Sequence, residues 1–349
     1  MKAKLKFTTL FADPVKEKFE NIKPSTVIMD SCLLKANSKF VGVSWASTGG
    51  GALAILDVTK PKKMDPEFAK IKGHNGTVMD FDFYPFNENI IVTSSDDTKV
   101  RLWQIPEGGL TEDLLEPTAV CAGHQKKTNL VTFNPSAQSI CASASFDGTV
   151  KVWNLENSSA VNTLSAPDSF MSLEWNYDGS LVGTANRDKK MRIGDVRTGK
   201  WTEEINGHEG PKTQKFGWLT GSPYIVTTGF NKSYERQFFL WDHRKFTEPV
   251  QSSVLDNQSG TVYPFWDGDC NVLYLAGKGD GNIRYYELAD GSLHSLNQYT
   301  STVAAKGIGF IPKRCVDTTK NELARALKIT NNNTIEAVTF RALRKSEVF

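Results

Sequence analysis

Histidine is the side chain best suited to acid–base catalysis or metal binding near neutral pH, so the five histidines of this chain are the first candidates. Two of them, His243 and His294, have no recognisable partner in the sequence. The other three stand in repeated Gly-His pairs, a regular placement that favours a structural role: His74, His124 and His208. No serine or cysteine stands in the G-x-S-x-G arrangement that exposes a nucleophile. We therefore predict no catalytic residue, no metal ligand and no cofactor, and a chain that is not an enzyme.

Glycine clusters and cysteines could carry chemistry of other kinds. Residues 277–281 superficially resemble a phosphate-binding loop, but they lack the required spacing and, like residues 49–51, fall at a turn between two predicted strands. The five cysteines are odd in number and none forms a C-x-x-C pair, which argues against disulfides and zinc sites. A reducing, cytoplasmic environment is the simpler expectation.

Charge and hydropathy argue against further classes of protein. The 41 basic residues are nearly balanced by 39 acidic ones, which removes the electrostatic basis for nucleic acid as the main partner. No apolar run approaches the roughly 18 residues of a membrane span, so we expect no integral membrane association. The short apolar run near the amino terminus is interrupted by threonines and ends at Asp13-Pro14, which is unlike a secretion signal.

The Gly-His pairs belong to an internal repeat. Each pair precedes, at a nearly constant distance, a segment that ends in a tryptophan: Trp103, Trp153 and Trp241. An acidic residue stands six positions before each tryptophan: Asp97, Asp147 and Glu235. This is the WD-repeat pattern, in which histidine, a hydroxyl, the acid and tryptophan form a buried hydrogen-bonded chain whose polar groups must all be paired. The predicted sets are His74, Ser95, Asp97 and Trp103; then His124, Ser145, Asp147 and Trp153; and, less completely, His208 with Trp241.

Less complete copies of the repeat keep the same spacing, with their turn acids at Asp188 and Asp280. Seven copies of the repeat therefore fill the chain. The seventh lacks one strand, and residues 5–11 have no other partner, so we predict that they complete blade seven and close the ring. The fold class is therefore all-β, a seven-bladed WD-repeat β-propeller in a single domain. Its predicted blades are approximately residues 25–72, 73–122, 123–166, 167–206, 207–258, 259–299 and 300–349 with strand 5–11.

Several longer strings resemble the coronin family, whose members are actin-binding WD-repeat proteins. They are WQIPEGGL at 103–110, LAGKGD at 275–280, GFIPKR at 309–314 and RKSEVF at 344–349, and they run across the whole chain. The resemblance implies binding along actin filaments and a place in the cytoplasmic actin cytoskeleton. It also implies regulation of the actin-branching complex and of filament-severing proteins.

The resemblance further implies a basic residue, important for filaments, just before blade one. Here that residue is Lys23, where the family commonly has arginine, and an ammonium acts as a point charge where a guanidinium forks onto a carboxylate. Two other basic clusters could join it on an acidic protein surface: Lys62 with Lys63, and Lys126 with Lys127. The plainer interpretation is that these lysines are solvated surface residues.

Other interpretations of the propeller remain open at this stage. A general WD-repeat scaffold for trafficking or signalling complexes is the main alternative to an actin-binding protein. A propeller hydrolase would need convergent acids, bases or metal ligands in the central channel, and the sequence nominates none. Coronins normally continue into a coiled coil, whereas no heptad run occurs in this sequence, so we expect this chain to be a monomer.

Overall fold

The chain folds into seven four-stranded antiparallel sheets that form the blades of a β-propeller, which confirms the predicted fold class. The computed structural model describes residues 4–27 and 31–343, so the string at 344–349 lies outside the described residues. The strands, in chain order, are β1 (Leu10–Phe19), β2 (Leu34–Ala36), β3 (Phe40–Trp45), β4 (Gly51–Asp57), β5 (Lys70–His74), β6 (Val78–Phe83), β7 (Ile90–Ser95), β8 (Val100–Gln104), β9 (Ala119–Cys121), β10 (Thr128–Phe133), β11 (Ile140–Ser145), β12 (Thr149–Asn154), β13 (Ser159–Ser165), β14 (Phe170–Trp175), β15 (Leu181–Asn186), β16 (Lys190–Asp195), β17 (Lys200–Asn206), β18 (Lys215–Leu219), β19 (Tyr224–Phe230), β20 (Arg236–Asp242), β21 (Gln251–Asp256), β22 (Val262–Asp267), β23 (Val272–Gly277), β24 (Ile283–Ala289), β25 (Ser292–Tyr299), β26 (Ala305–Phe310), β27 (Glu322–Thr330) and β28 (Ile335–Ala342). Short 3-10 helices cover His243–Lys245, Lys313–Cys315 and Thr318–Lys320.

The core is a ring of hydrophobic clusters between neighbouring blades. Blades one and two, for example, share a cluster that contains Leu53, Phe81 and Trp103. Inner strands such as β3 are buried along their whole length because both faces pack on neighbouring blades. Outer strands such as β17 contain no buried residue. None of the helices within the described ranges is long and apolar enough to cross a membrane.

Blade seven is completed by an amino-terminal strand, as predicted, because β1 pairs antiparallel with β28. That strand is Leu10–Phe19, however, so its predicted position at residues 5–11 is wrong. As an outermost strand, β1 is largely exposed and carries charged residues and Pro14. An edge strand tolerates such residues, but in the sequence they are typical of a loop. The preceding segment is instead anchored to blade six, where the backbone N–H groups of Lys6 and Phe7 donate to the Glu287 carboxylate at 2.8 and 3.0 Å.

Strand order defines two faces of the propeller. We call upper the face that carries each turn between the second and third strands of a blade and each connection from one blade to the next. The opposite, lower face carries the first-to-second and third-to-fourth connections. The long β4–β5 connection of blade one departs from this rule, because its residues 62–64 bond to the backbone of Glu20, which directly follows β1. Residues 20–27, which follow β1, lie on the upper face, as do the Gly-His loops.

Candidate functional site

The upper face is held together by buried hydrogen-bonded tetrads, of which blade two has a complete example. His74 Nδ1 lies 2.9 Å from Asp97 Oδ2, and His74 Nε2 lies 2.7 Å from Thr93 Oγ1. Trp103 Nε1 donates to the same hydroxyl at 2.8 Å. Burial lowers the pKa of His74 despite the neighbouring carboxylate, so the imidazole is neutral at pH 7. Burial alone would raise the pKa of Asp97, but hydrogen bonds from His74 and from the backbone N–H groups of Lys99 and Asn75 outweigh it and bring that pKa to about 2.

Blade three repeats this arrangement. His124 Nδ1 lies 3.1 Å from Asp147 Oδ2, and His124 Nε2 lies 2.8 Å from Ser143 Oγ. Trp153 Nε1 donates to the Ser143 hydroxyl at 2.8 Å. Both tetrads therefore tie a loop between blades to the second and third strands of the following blade, and neither leaves a histidine free for chemistry.

The hydroxyl members of these sets correct two predictions. Ser95 and Ser145 are not the hydroxyls that join histidine to tryptophan, because they lie next to the turn and too far from the tryptophan ring. Ser95 Oγ instead donates to the Gly76 carbonyl at 3.0 Å and accepts from the Asp97 N–H at 3.1 Å. Residues two apart in a strand share a face, so the side-chain pattern alone did not separate these serines from Thr93 and Ser143.

Blade five keeps the histidine but not the acid. Thr227 Oγ1 lies 3.0 Å from His208 Nε2 and accepts from Trp241 Nε1 at 2.9 Å. Gln237 Nε2, not a carboxylate, lies 3.0 Å from His208 Nδ1, and burial lowers the pKa of this histidine to about 3. Glu235, predicted as the turn acid, accepts from the Asn231 amide at 2.7 Å, because the longer turn directs it away from the histidine.

An ion cluster joins blades five and six. Arg236, fully buried, forms two bonds of 2.6 Å to Asp256 and one of 2.8 Å to Asp280. Arg284 reaches Asp256 at 2.6 Å. The repeat pattern located Asp280, but it gave no signal for its arginine partners, which come from a different position in the blade.

The structure brings three of the five predicted binding lysines together. The backbone of Glu20 bonds to the loop of blade one, accepting from Met64 at 3.0 Å and donating to Lys62 at 3.1 Å. Lys62 and Lys63 therefore lie beside the segment that carries Lys23, and all three side chains are exposed. A cavity of about 540 Å³ opens next to Lys23 and is floored in part by the largely buried Trp45.

Lys126 and Lys127 occupy a separate part of the upper face, in the loop that leads into blade three. Both are exposed, and the Lys127 ammonium lies 4.5 Å from the centre of the Phe146 ring. Ser145 Oγ donates to the carbonyls of both lysines at 3.0 Å, so the serine beside the tetrad positions this loop. The five lysines thus form two groups and not one continuous patch.

The central channel, a cavity of about 640 Å³, contains charged side chains that the sequence analysis did not single out. Lys35 Nζ lies 3.3 Å from Asp80 and 4.0 Å from Asp82. The same carboxylates accept from the backbone N–H groups of Val131 and Phe133 at 3.1 and 2.8 Å. These groups pair with one another and with blade three. Across residues 4–27 and 31–343, no cluster of three or more His, Cys, Asp or Glu side chains is arranged to hold a metal ion.

Comparisons with known proteins give a consistent result. Residues 4–63 match a family described as a domain of unknown function (DUF1899), and residues 71–207 match one described as eukaryotic translation initiation factor eIF2A. The coronin-like protein crn1 of Schizosaccharomyces pombe is 38% identical over 350 residues, covering 99% of this chain and 58% of that protein. This chain thus spans less than two thirds of the yeast protein.

Two further relatives match over most of their length. Coronin-A of Dictyostelium discoideum is 39% identical, covering 97% of this chain and 76% of that protein. The crystal structure of the WD40 domain of Toxoplasma gondii coronin superposes with a TM-score of 0.93 at 35% identity, covering 99% of this chain and 90% of that one. Both sequence and architecture therefore agree along nearly the whole chain.

Proposed function

This chain belongs to the coronin family, and from that premise we propose that it binds actin filaments through its upper face as a non-catalytic platform. Binding of this kind organises the actin cytoskeleton of the cytoplasm without altering actin chemically. The actin-branching complex and filament-severing proteins are further partners in the proposal, and the chain alone acts as a monomer.

The observation that supports the proposal is the convergence of Lys23 with Lys62 and Lys63. Backbone bonds between Glu20 and the blade-one loop fix their relative positions, so little of that backbone order has to be gained on binding. None of the three ammonium groups forms an ion pair with another described residue. Exposed, uncompensated cations are suited to an acidic protein surface, where they increase the association rate and fix orientation.

The test is filament co-sedimentation of charge variants. Lys23→Glu should weaken binding several-fold and leave the melting temperature nearly unchanged, because Lys23 is exposed and its side chain forms no hydrogen bond or ion pair with another described residue. Lys23→Arg should preserve or strengthen binding, since a guanidinium can engage a carboxylate through two hydrogen bonds.

A matched control is Lys200→Glu, which makes the same charge change at an exposed site on the lower face. It should bind like the unmodified chain. Equal affinities for Lys23→Glu and Lys200→Glu would remove Lys23 from the contact surface. A failure of the unmodified chain to sediment with filaments at low salt would contradict the proposed function itself.

A further inference from the structure

The upper-face turns share an unusual backbone requirement. In every blade the turn between the second and third strands contains a residue in the left-handed conformation, with φ between 58° and 85°. Glycine adopts this conformation without steric cost, and asparagine tolerates it better than other residues do. The seven residues at this position are Gly49, Thr98, Gly148, Lys189, Tyr234, Gly279 and Asn333.

Tyr234 is the bulkiest residue at any of these positions, and burial does not explain its presence. Its side chain is 55% exposed, although φ is 62°. The Lys212 ammonium lies 5.8 Å from the centre of the Tyr234 ring and 4.8 Å from the centre of the Phe230 ring. A large aromatic residue that is strained and exposed reduces fold stability, so a contact outside the fold is the more economical reason for its presence.

Basic side chains surround Tyr234 on blades four and five. Lys189 is exposed and also has a left-handed backbone conformation. Its ammonium group donates to the Glu209 carbonyl at 2.7 Å. The Glu209 carboxylate in turn pairs with Lys232 at 3.0 Å. These contacts make the two turns and the loop between them one continuous surface, and Arg187 is exposed in the same turn as Lys189.

The acidic groups of these turns cancel only part of this charge. Asp188 pairs with the buried Arg192 at 2.6 Å. Glu235 accepts from the Asn231 amide at 2.7 Å, and a neutral amide leaves the negative charge of the carboxylate in place. Glu209 also keeps its charge, and its side chain is 64% exposed between the cations. A continuous anionic membrane would meet that carboxylate, whereas a short acidic segment of a protein can avoid it.

We propose that Tyr234 and its four basic neighbours, Arg187, Lys189, Lys212 and Lys232, form a second contact for an acidic segment of the filament surface. This inference rests on the proposed function and deepens it. The aromatic ring supplies apolar contact area with few rotatable bonds, and its hydroxyl supplies a hydrogen bond. The contact lies on the same face as Lys23 but across the ring, so the filament meets the upper face at two separated places.

Replacement of the strained side chain separates binding from stability. Tyr234→Gly removes the ring and relieves the left-handed strain, so the melting temperature should stay the same or rise while filament affinity falls several-fold. Thr98→Gly is the matched control, because it relieves strain at the equivalent position of blade two. It should leave affinity unchanged. A structural role for Tyr234 would instead lower the melting temperature.

The outcomes are distinguishable in one co-sedimentation series. Equal filament affinity for the unmodified chain and Tyr234→Gly would overturn this inference while leaving the proposed function in place. Absence of binding by the unmodified chain would overturn both. A parallel flotation assay with phosphatidylserine vesicles covers the membrane alternative. Vesicle binding that Tyr234→Gly abolishes, with unchanged filament binding, would assign the surface to lipid and contradict the inference.

Discussion

Blades two and three secure their upper-face loops by a different chemistry from that used at the junction of blades five and six. The former use tetrads in which a neutral histidine, a hydroxyl and a tryptophan meet one carboxylate, as in the Asp147 set. The latter use a buried cluster of two arginines and two aspartates around Arg236. A tetrad can lose its carboxylate and leave only neutral polar groups unpaired. The ion cluster cannot, since loss of one member leaves a buried charge.

The largest expected effect is therefore at Arg236. Arg236→Met should reduce the free energy of unfolding by about 3–5 kcal/mol, because Asp256 and Asp280 would lose the guanidinium between them. Urea unfolding followed by tryptophan fluorescence measures this. Arg244→Met removes an exposed arginine from its pair with Asp242 and should leave the free energy of unfolding nearly unchanged. Similar losses of unfolding free energy in the two variants would show that the buried ion cluster stabilises the fold no more than an exposed ion pair does.

A smaller effect is expected in the tetrad of blade three. Asp147→Ala should cost about 1–3 kcal/mol, since His124 loses its acceptor inside the blade. Ser143→Ala should fall in the same range, because both His124 and Trp153 bond to that hydroxyl. Asp96→Ala, at an exposed turn position of blade two, is the control and should be nearly neutral. Unchanged stability of Asp147→Ala would make this carboxylate a surface group.

A third effect, comparable in size with that of the tetrad, is one of pH, and it compares a histidine that lacks a carboxylate partner with one that has it. His208 has a folded pKa of about 3 against an ordinary 6.5, so below pH 6.5 the unfolded chain binds a proton that the fold excludes. Stability is full above pH 6.5 and is lost as pH falls towards 3, by about 2 kcal/mol at pH 5. Urea midpoints between pH 7 and 5 should therefore depend less on pH in His208→Gln.

His124 provides the comparison for this titration. Burial lowers its pKa as well, but Asp147 favours the charged ring and opposes that shift. His124→Gln should therefore flatten the pH dependence less than His208→Gln. Equal flattening in the two variants would mean that the carboxylate of the tetrad has no influence on the buried imidazole.

The repeated motifs allowed the blades to be predicted from the sequence. The ends of strand β1 and the choice between two hydroxyl residues of one strand could not be predicted, because they depend on how the strands pair. Gly-His and tryptophan spacing located the blades because the same loop and strand recur along the chain. The outer strand β1 was placed too early, since a strand that is largely exposed between its two buried ends has no alternating pattern to locate those ends. Thr93 was passed over for Ser95 because both lie on one face of the same strand.

The candidate site shows the same limit. Lys23 and the lysine pairs were visible as exposed charges, but their division into two groups depends on a contact between Glu20 and Met64 that no local pattern encodes. Tyr234 could not be identified from the sequence, since its left-handed backbone conformation is not indicated by its residue type. Residues whose role comes from backbone geometry or from pairing across blades require the structure.

Lysine footprinting by mass spectrometry, with an amine-reactive reagent and with or without actin filaments, tests the central claim most directly. The upper face should be covered, so filaments should protect Lys23, Lys62 and Lys126. Lys200 and Lys245 are exposed on the lower face and should react equally in both samples. Protection of Lys200 and Lys245 with unchanged reactivity of Lys23 would contradict the account, because the filament would then bind the opposite face.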